Sequence, residues 1–315
     1  MSCRLRSFSI KVWAAALGLT MMPAPAAADS TSPRLAAYYD LRMAVCGGRA
    51  YLWRGRTAPK PVAHDVVQVG VGRDVGYALS RDGVLMAVGE GADAPTRLTA
   101  NVTWFAAGRS GLFAGRADGS TIHLARSDSW FGAGAVAPPT PIAGTITTAS
   151  IGDSADYLVA ADGTLSVQGL AHRGQYGDGK LSATDTFVAV HERVTAVKAH
   201  TGHAIALTDE GTVIGTGGNI FGPLGAHGIG DKAITWGPIF TRAIAIATGS
   251  SHSLALRADG RLWHWGRDIG LEPAAILDDV TAAAADSSGS IALRRDGTLW
   301  QWDRGGAPAK HFDCP

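Results

Sequence analysis

A tight-turn signal recurs seven times along this 315-residue chain, each time between two short strand patterns. The turns are Gly47-Gly48, Asp82-Gly83, Asp118-Gly119, Asp162-Gly163, Glu210-Gly211, Asp259-Gly260 and Asp296-Gly297. Their second residues lie 35, 36, 44, 48, 49 and 37 positions apart. A unit of this size cannot bury both faces of a sheet alone, so neighbouring units must stack to complete the core. Seven such units closing on themselves predict an all-β fold, a seven-bladed β-propeller.

The clearest unit runs from Ile246 to Gly266. Leu254 and Leu256 alternate with Ser253, Ala255 and Arg257, the period-2 signature of a strand. Asp259-Gly260 then supplies the hairpin turn, because glycine accepts positive φ without a Cβ clash. Trp263 and Trp265 sit two apart, on one face of the returning strand. The unit around Asp296-Gly297 repeats this with Leu299, Trp300 and Trp302, and the one around Glu210-Gly211 follows with Val213 and Ile214. The first unit keeps Tyr51 and Trp53 at the paired aromatic positions, whereas the second and third have lost them.

Gly249-x-x-His252-Ser-Leu-Ala-Leu, then Asp-Gly, then Leu-Trp-x-Trp-Gly266 resembles the repeat of the regulator of chromosome condensation family. That family's Gly-x-Asn-x-x-Gly-Gln-Leu-Gly continuation is matched by Gly169 to Gly177 and by Gly217 to Gly225, with His172 or Asn219 and Tyr176 or Leu224 as variants. The likeness spans roughly residues 34 to 303 and is strongest in the fourth to seventh units. It implies a seven-bladed propeller of four-stranded blades that serves as a scaffold for binding other macromolecules. Other propeller types fit less well. Trp302-Asp303 is a single Trp-Asp dipeptide without a Gly-His partner, and Gly-Gly doublets such as Gly47-Gly48 and Gly217-Gly218 do not recur at the equivalent strand as kelch units require. A quinone-binding propeller would need calcium and cofactor ligands that are not visible.

Residues 1–28 read as a signal peptide and residues 29–315 as a single propeller domain of seven repeats. Arg4, Arg6 and Lys11 form a positive n-region, and Val12 to Met22 is an apolar stretch of 11 residues, too short for a membrane span. The small residues up to Ala28 suit signal peptidase, with cleavage before Asp29. The chain is therefore expected to be exported, to the periplasm or the extracellular space, without a membrane span. The leader takes three of the 28 Lys and Arg residues and none of the 27 acidic ones, leaving a net charge of −2. Such a surface argues against nucleic acid as a partner, which calls for clustered cations.

Two cysteines remain after the leader, Cys46 at the first hairpin and Cys314 near the end of the sequence. In an oxidising compartment an isolated pair predicts a disulfide, here fastening the last segment to the first blade. The alternative is two free thiols too far apart to meet.

Catalytic signatures are missing. His200-x-x-His203 falls on a strand pattern, and His203 holds the repeat position of His252, so both read as structural histidines bonded to backbone rather than as metal ligands. His191-Glu192 begins a zinc-protease string, but Thr195 stands where the second histidine belongs. No Gly-x-Ser-x-Gly elbow occurs. Gly249-Ser-Ser-His252 is repeat consensus rather than a triad, and the glycine-rich stretch from Gly222 to Lys232 lacks Walker spacing. The Asp-Gly carboxylates recur because the turn favours them. No catalytic residue, metal site or cofactor is expected.

What remains is surface. The three long intervals carry Trp130-Phe131, Phe187, Phe221 and Trp236. Variable loops on a rigid ring are where partners bind, and aromatic side chains anchor such contacts. Trp130, Phe131 and Trp236 are the candidate partner-binding residues, while Phe221 is expected to tuck against its own blade. The reading is an exported, monomeric scaffold that binds another macromolecule, a protein, through face or rim loops. The alternative is a carbohydrate-binding protein or enzyme using polar groups at one propeller face. Nucleotide exchange on a small GTPase, the eukaryotic family role, is disfavoured by the leader and by the absence of a basic tail.

Overall fold

A computed structural model of the chain describes residues 34–89, 94–125, 138–227 and 230–315. The expected leader, residues 1–28, and the pair Trp130 and Phe131 lie outside the described residues. Within them the fold is all-β: seven antiparallel sheets of four strands, each sheet built from four consecutive strands in order, and no helix. The innermost strand of every blade contacts the innermost strand of the next, and Val280–Ala285 of blade seven contacts Leu35–Tyr38 of blade one. The ring is closed, as the repeat predicts.

The core is divided. Seven apolar clusters occur, one at each junction between adjacent blades, so every cluster draws residues from two units. This is the stacking that a unit of about 40 residues requires, since a lone sheet leaves both faces wet. Trp265 is fully buried at the junction of blades five and six and donates its indole N–H to the Pro223 carbonyl at 2.8 Å. Trp263 packs partly buried against the same cluster, as the i, i+2 spacing predicts.

The seven turns join the second and third strands of each blade. Their second glycines have φ between +76° and +85°, the left-handed region that favours glycine. At four of them the aspartate accepts the amide two residues on, for example Thr164 N–H to Asp162 at 2.9 Å. The glycine carbonyls have a second task. Gly48, Gly83, Gly163, Gly211 and Gly260 each accept the amide that opens the next blade, at 2.8–3.0 Å. The turn glycine thus also fastens one blade to the next.

Closure between blades seven and one uses the same device. Among the described residues no strand is shared across it; instead Cys314 donates its amide to the Gly297 carbonyl at 3.0 Å, the bond that the first residue of the next blade makes at the other five glycines. Cys314 is bonded to Cys46 as a disulfide, with the Cα atoms 5.1 Å apart. Inside the junction Arg42 and Asp286 form a fully buried ion pair at 2.7 Å. Arg42 also donates to the Ser288 hydroxyl at 3.0 Å and to the Gly55 carbonyl at 2.5 Å. Burial pushes the Asp286 carboxyl up, against the pull of Arg42 and of its hydrogen bonds to Ser288 and Gly289.

Candidate protein-interaction face

The strand order sorts the connections onto two faces. Asp-Gly turns and blade-to-blade links share one face; the loops joining first to second and third to fourth strands share the other. All three long sequence intervals owe their length to third-to-fourth connections, and the described ones, after Gly169 and Gly218, lie on this second, loop face.

Both described loops cross onto the following blade. The loop after Gly169 of blade four lies over blade five, where Gly174 accepts the Thr216 hydroxyl at 2.7 Å and Asp178 bridges to Thr235. Trp236 sits beneath it, half-buried, donating its indole N–H to the Tyr176 carbonyl at 3.0 Å. The loop after Gly218 of blade five lies over blade six. Asn219 shapes it, donating to the Gly225 and His227 carbonyls at 3.1 and 2.9 Å and accepting from the Leu224 amide at 2.9 Å.

That second loop corrects the expectation for Phe221. Its ring is 47% exposed rather than tucked in, and the Arg267 guanidinium lies 4.5 Å from its centroid. Ile220 and Leu271, 56% and 53% exposed, stand beside it, and together they line a groove of about 640 Å³ between blades five and six. Leu170, at the start of the blade-four loop, is exposed on the same face. Phe187 is half-buried against Phe113, with centroids 6.1 Å apart.

Nearer the axis the face is polar. A cavity of about 410 Å³ is lined by Arg109, Asp153, Ser154, Asp156, Gln168 and Asp185, among others. Burial pushes the Asp156 carboxyl up to about 6, with the Gln168 amide pulling the other way. At the mouth of the channel the Tyr38 hydroxyl donates to Asp153, and the Tyr38 ring stacks on His200 at 5.1 Å.

The histidines singled out by sequence are structural, but their partners differ from expectation. His203 Nε2 shares a hydrogen bond with Thr248 Oγ1 at 2.6 Å, and His252 Nε2 with Ser290 Oγ at 2.8 Å. These are side-chain hydroxyls of the next blade, not backbone groups. Burial lowers both rings to about 3, so they are neutral links between blades. Among the described residues no group of three or more His, Cys, Asp or Glu side chains is arranged to hold a metal ion.

Comparison with known proteins agrees with this architecture. Residues 243–268, the first three strands of blade six, match the regulator of chromosome condensation (RCC1) repeat. An X-linked retinitis pigmentosa GTPase regulator homolog of Caenorhabditis elegans is 28% identical over 119 residues, 35% of this chain but only 9% of the worm protein's length. Among solved structures, Prp20p of Saccharomyces cerevisiae superposes with a TM-score of 0.69 at 16% identity, covering 82% of this chain and 81% of that one. Human WBSCR16 gives 0.69 at 14% identity, over 83% and 86% of the two chains. The same yeast protein, RCC1 (Prp20), bound to Kap60 gives 0.68 at 16%, over 80% and 74%. Blade six thus carries a regulator of chromosome condensation repeat, and the ring as a whole has the fold of RCC1 propellers.

Proposed function

We propose that this chain is an exported β-propeller scaffold that binds another protein through its loop face. The observation that carries the reading is the exposed apolar group Ile220, Phe221 and Leu271, with Arg267 stacked on the aromatic ring. Apolar side chains gathered around a groove and rimmed by charge are the usual makings of a protein contact. Trp130 and Phe131 stay candidate contacts on the sequence alone, as aromatic residues in a long interval outside the repeat pattern. Trp236 supports it from below by holding the blade-four loop. One relative of the same fold binds proteins: yeast RCC1 (Prp20) was solved with Kap60 and was studied for binding to Gsp1p and histones.

Export rests on the leader pattern of residues 1–28, and the Cys46–Cys314 disulfide suits the oxidising compartment to which such a leader directs a chain. The scaffold acts as a monomer, and its net charge of −2 after cleavage favours a protein over a nucleic acid. The test is a pull-down from periplasm and medium with mature protein as bait, beside a Phe221→Ala, Leu271→Ala variant and a Trp130→Ala, Phe131→Ala variant. A protein held by the wild type and lost by either variant supports the reading; equal capture by all three baits overturns it.

One observation favours a second reading, a glycan-binding protein or enzyme. The polar cavity combines Arg109, Gln168 and three aspartates, groups that suit hydroxylated ligands. A glycan array probed with wild type and Asp156→Asn separates the two.

A further inference from the structure

In six of the seven blades the innermost strand ends on an aliphatic residue or a threonine: Val71, Ala107, Ile151, Ala199, Thr248 and Ala285. Blade one ends on Tyr38, the one side chain of the seven long enough to leave its own blade. Ring order puts blade one opposite the junction of blades four and five. That is where Tyr38 goes. Its hydroxyl meets Asp153 of blade four, and its ring stacks on His200 of blade five, 23° from parallel. Because the blades lie on opposite sides of the axis, these contacts cross the channel.

The far side is braced to receive it. The Asp153 amide donates to the His200 carbonyl at 3.0 Å, and the Ser154 hydroxyl donates to the Thr201 carbonyl at 2.7 Å, so the two receiving loops move as one. The near side is shaped to deliver it. Blade one turns in two residues, Tyr39 and Asp40, where the other blades use three or four. Tyr39 takes φ 56°, the left-handed region that a bulky side chain seldom occupies, and packs edge-on to Tyr38 at 5.0 Å. Burial first, and then the hydrogen bond to Asp153, push the Tyr38 phenol up, so it stays protonated and donates.

We infer that Tyr38 is a stopper that closes the axial channel at the loop face and covers His200. The face is then continuous from the half-exposed Tyr39 at its centre to the groove at Phe221, and the channel is no route through the ring. His200 itself is 3% exposed, and its Nε2 has no hydrogen-bond partner, so the ring above it is what keeps reagents away.

The test needs only the purified protein, so it stands or falls apart from any partner. Diethyl pyrocarbonate modifies neutral imidazoles, and mass spectrometry assigns each site. Burial lowers His200 to about 4, so at pH 7 only access limits its reaction. Tyr38→Ala should raise modification at His200 by about ten-fold or more while leaving His203 and His252 at wild-type levels, because only the local cover is lost. Tyr38→Phe keeps the stacked ring and should leave His200 protected. Tyr38→Val, which copies the residue at the same place in blade two, serves if the alanine variant does not fold. No rise at His200 in a folded Ala or Val variant overturns the inference. So does a rise shared equally with His203 and His252, since that reports general loosening.

Discussion

Removing the Cys46–Cys314 disulfide is the sharpest test of how this ring is closed. The bond joins residues 268 positions apart, nearly the whole propeller. In the chain-entropy treatment, closing a loop of that length stabilises the fold by about 5–6 kcal/mol, by restricting the unfolded chain. The folded side changes little. Cys46 is buried beside Tyr51 and Phe312, and a Cys46→Ser, Cys314→Ser variant keeps the Arg42–Asp286 pair and the apolar cluster of the same junction. The ring should still form, with urea stability lower by about that amount and Tm lower by about 10–20 °C. The m-value should rise, because an uncrosslinked unfolded chain exposes more surface. Hydrogen exchange should quicken first in Ala309–Asp313, the strand held next to Cys314. A loss below about 1 kcal/mol with an unchanged m-value would refute the view that the bond acts by closing the large loop.

Two further outcomes follow from buried charge. Asp286→Asn leaves the Arg42 guanidinium buried without its counter-charge and should cost about 3–5 kcal/mol in urea melts, while Arg42→Met with Asp286→Leu should recover most of it. Stability should also fall on acidification. Burial holds His200 and His264 at about 4 and His203 and His252 at about 3, against an ordinary 6.5. The unfolded chain therefore takes up protons first as pH drops. Their contribution is complete above pH 6.5 and is lost as pH falls from there toward 3, with a slope near 1.4 kcal/mol per pH unit for each proton taken up. Asp156, raised to about 6, opposes this over pH 6 to 4 by one proton's worth. A melt midpoint flat from pH 7 to 4 would contradict neutral, buried histidines.

The blades were legible because each carries its own local signal. Alternation around Leu254 and Leu256, a left-handed turn at Gly260 and paired tryptophans at 263 and 265 all act within one unit, so sequence shows them directly. The cysteine pair was legible too, since only Cys46 and Cys314 fall within the repeats and the segment that follows them. What acts between units left less trace. The Gly83 carbonyl accepts from Val102, and nothing in an Asp-Gly dipeptide says that the turn has a partner in the next blade. His203 looked structural, but its hydroxyl partner at position 248 lies one whole unit away. Phe221 was expected to tuck against its own blade; instead the loop crosses to blade six, where Arg267 stacks on the ring and leaves it facing out. Tyr38 and Asp153 meet across 115 positions with no motif at either end. Contacts across the axis depend on which blades stand opposite, and no local pattern encodes that.

The place of Cys314 has a consequence for how the molecule can be cut. Six blade-to-blade passages are peptide, and the seventh is a sulfur–sulfur bond, so residues 46–314 make a closed covalent circuit. One cleavage anywhere on that circuit, in the exposed stretch around Leu181 for instance, opens it without releasing a fragment. Two cuts are needed before any piece of the circuit itself can leave, unless a reductant has already opened it. While the disulfide is intact, a single nick is then survivable: the severed ends stay tethered within reach of the sheets they left.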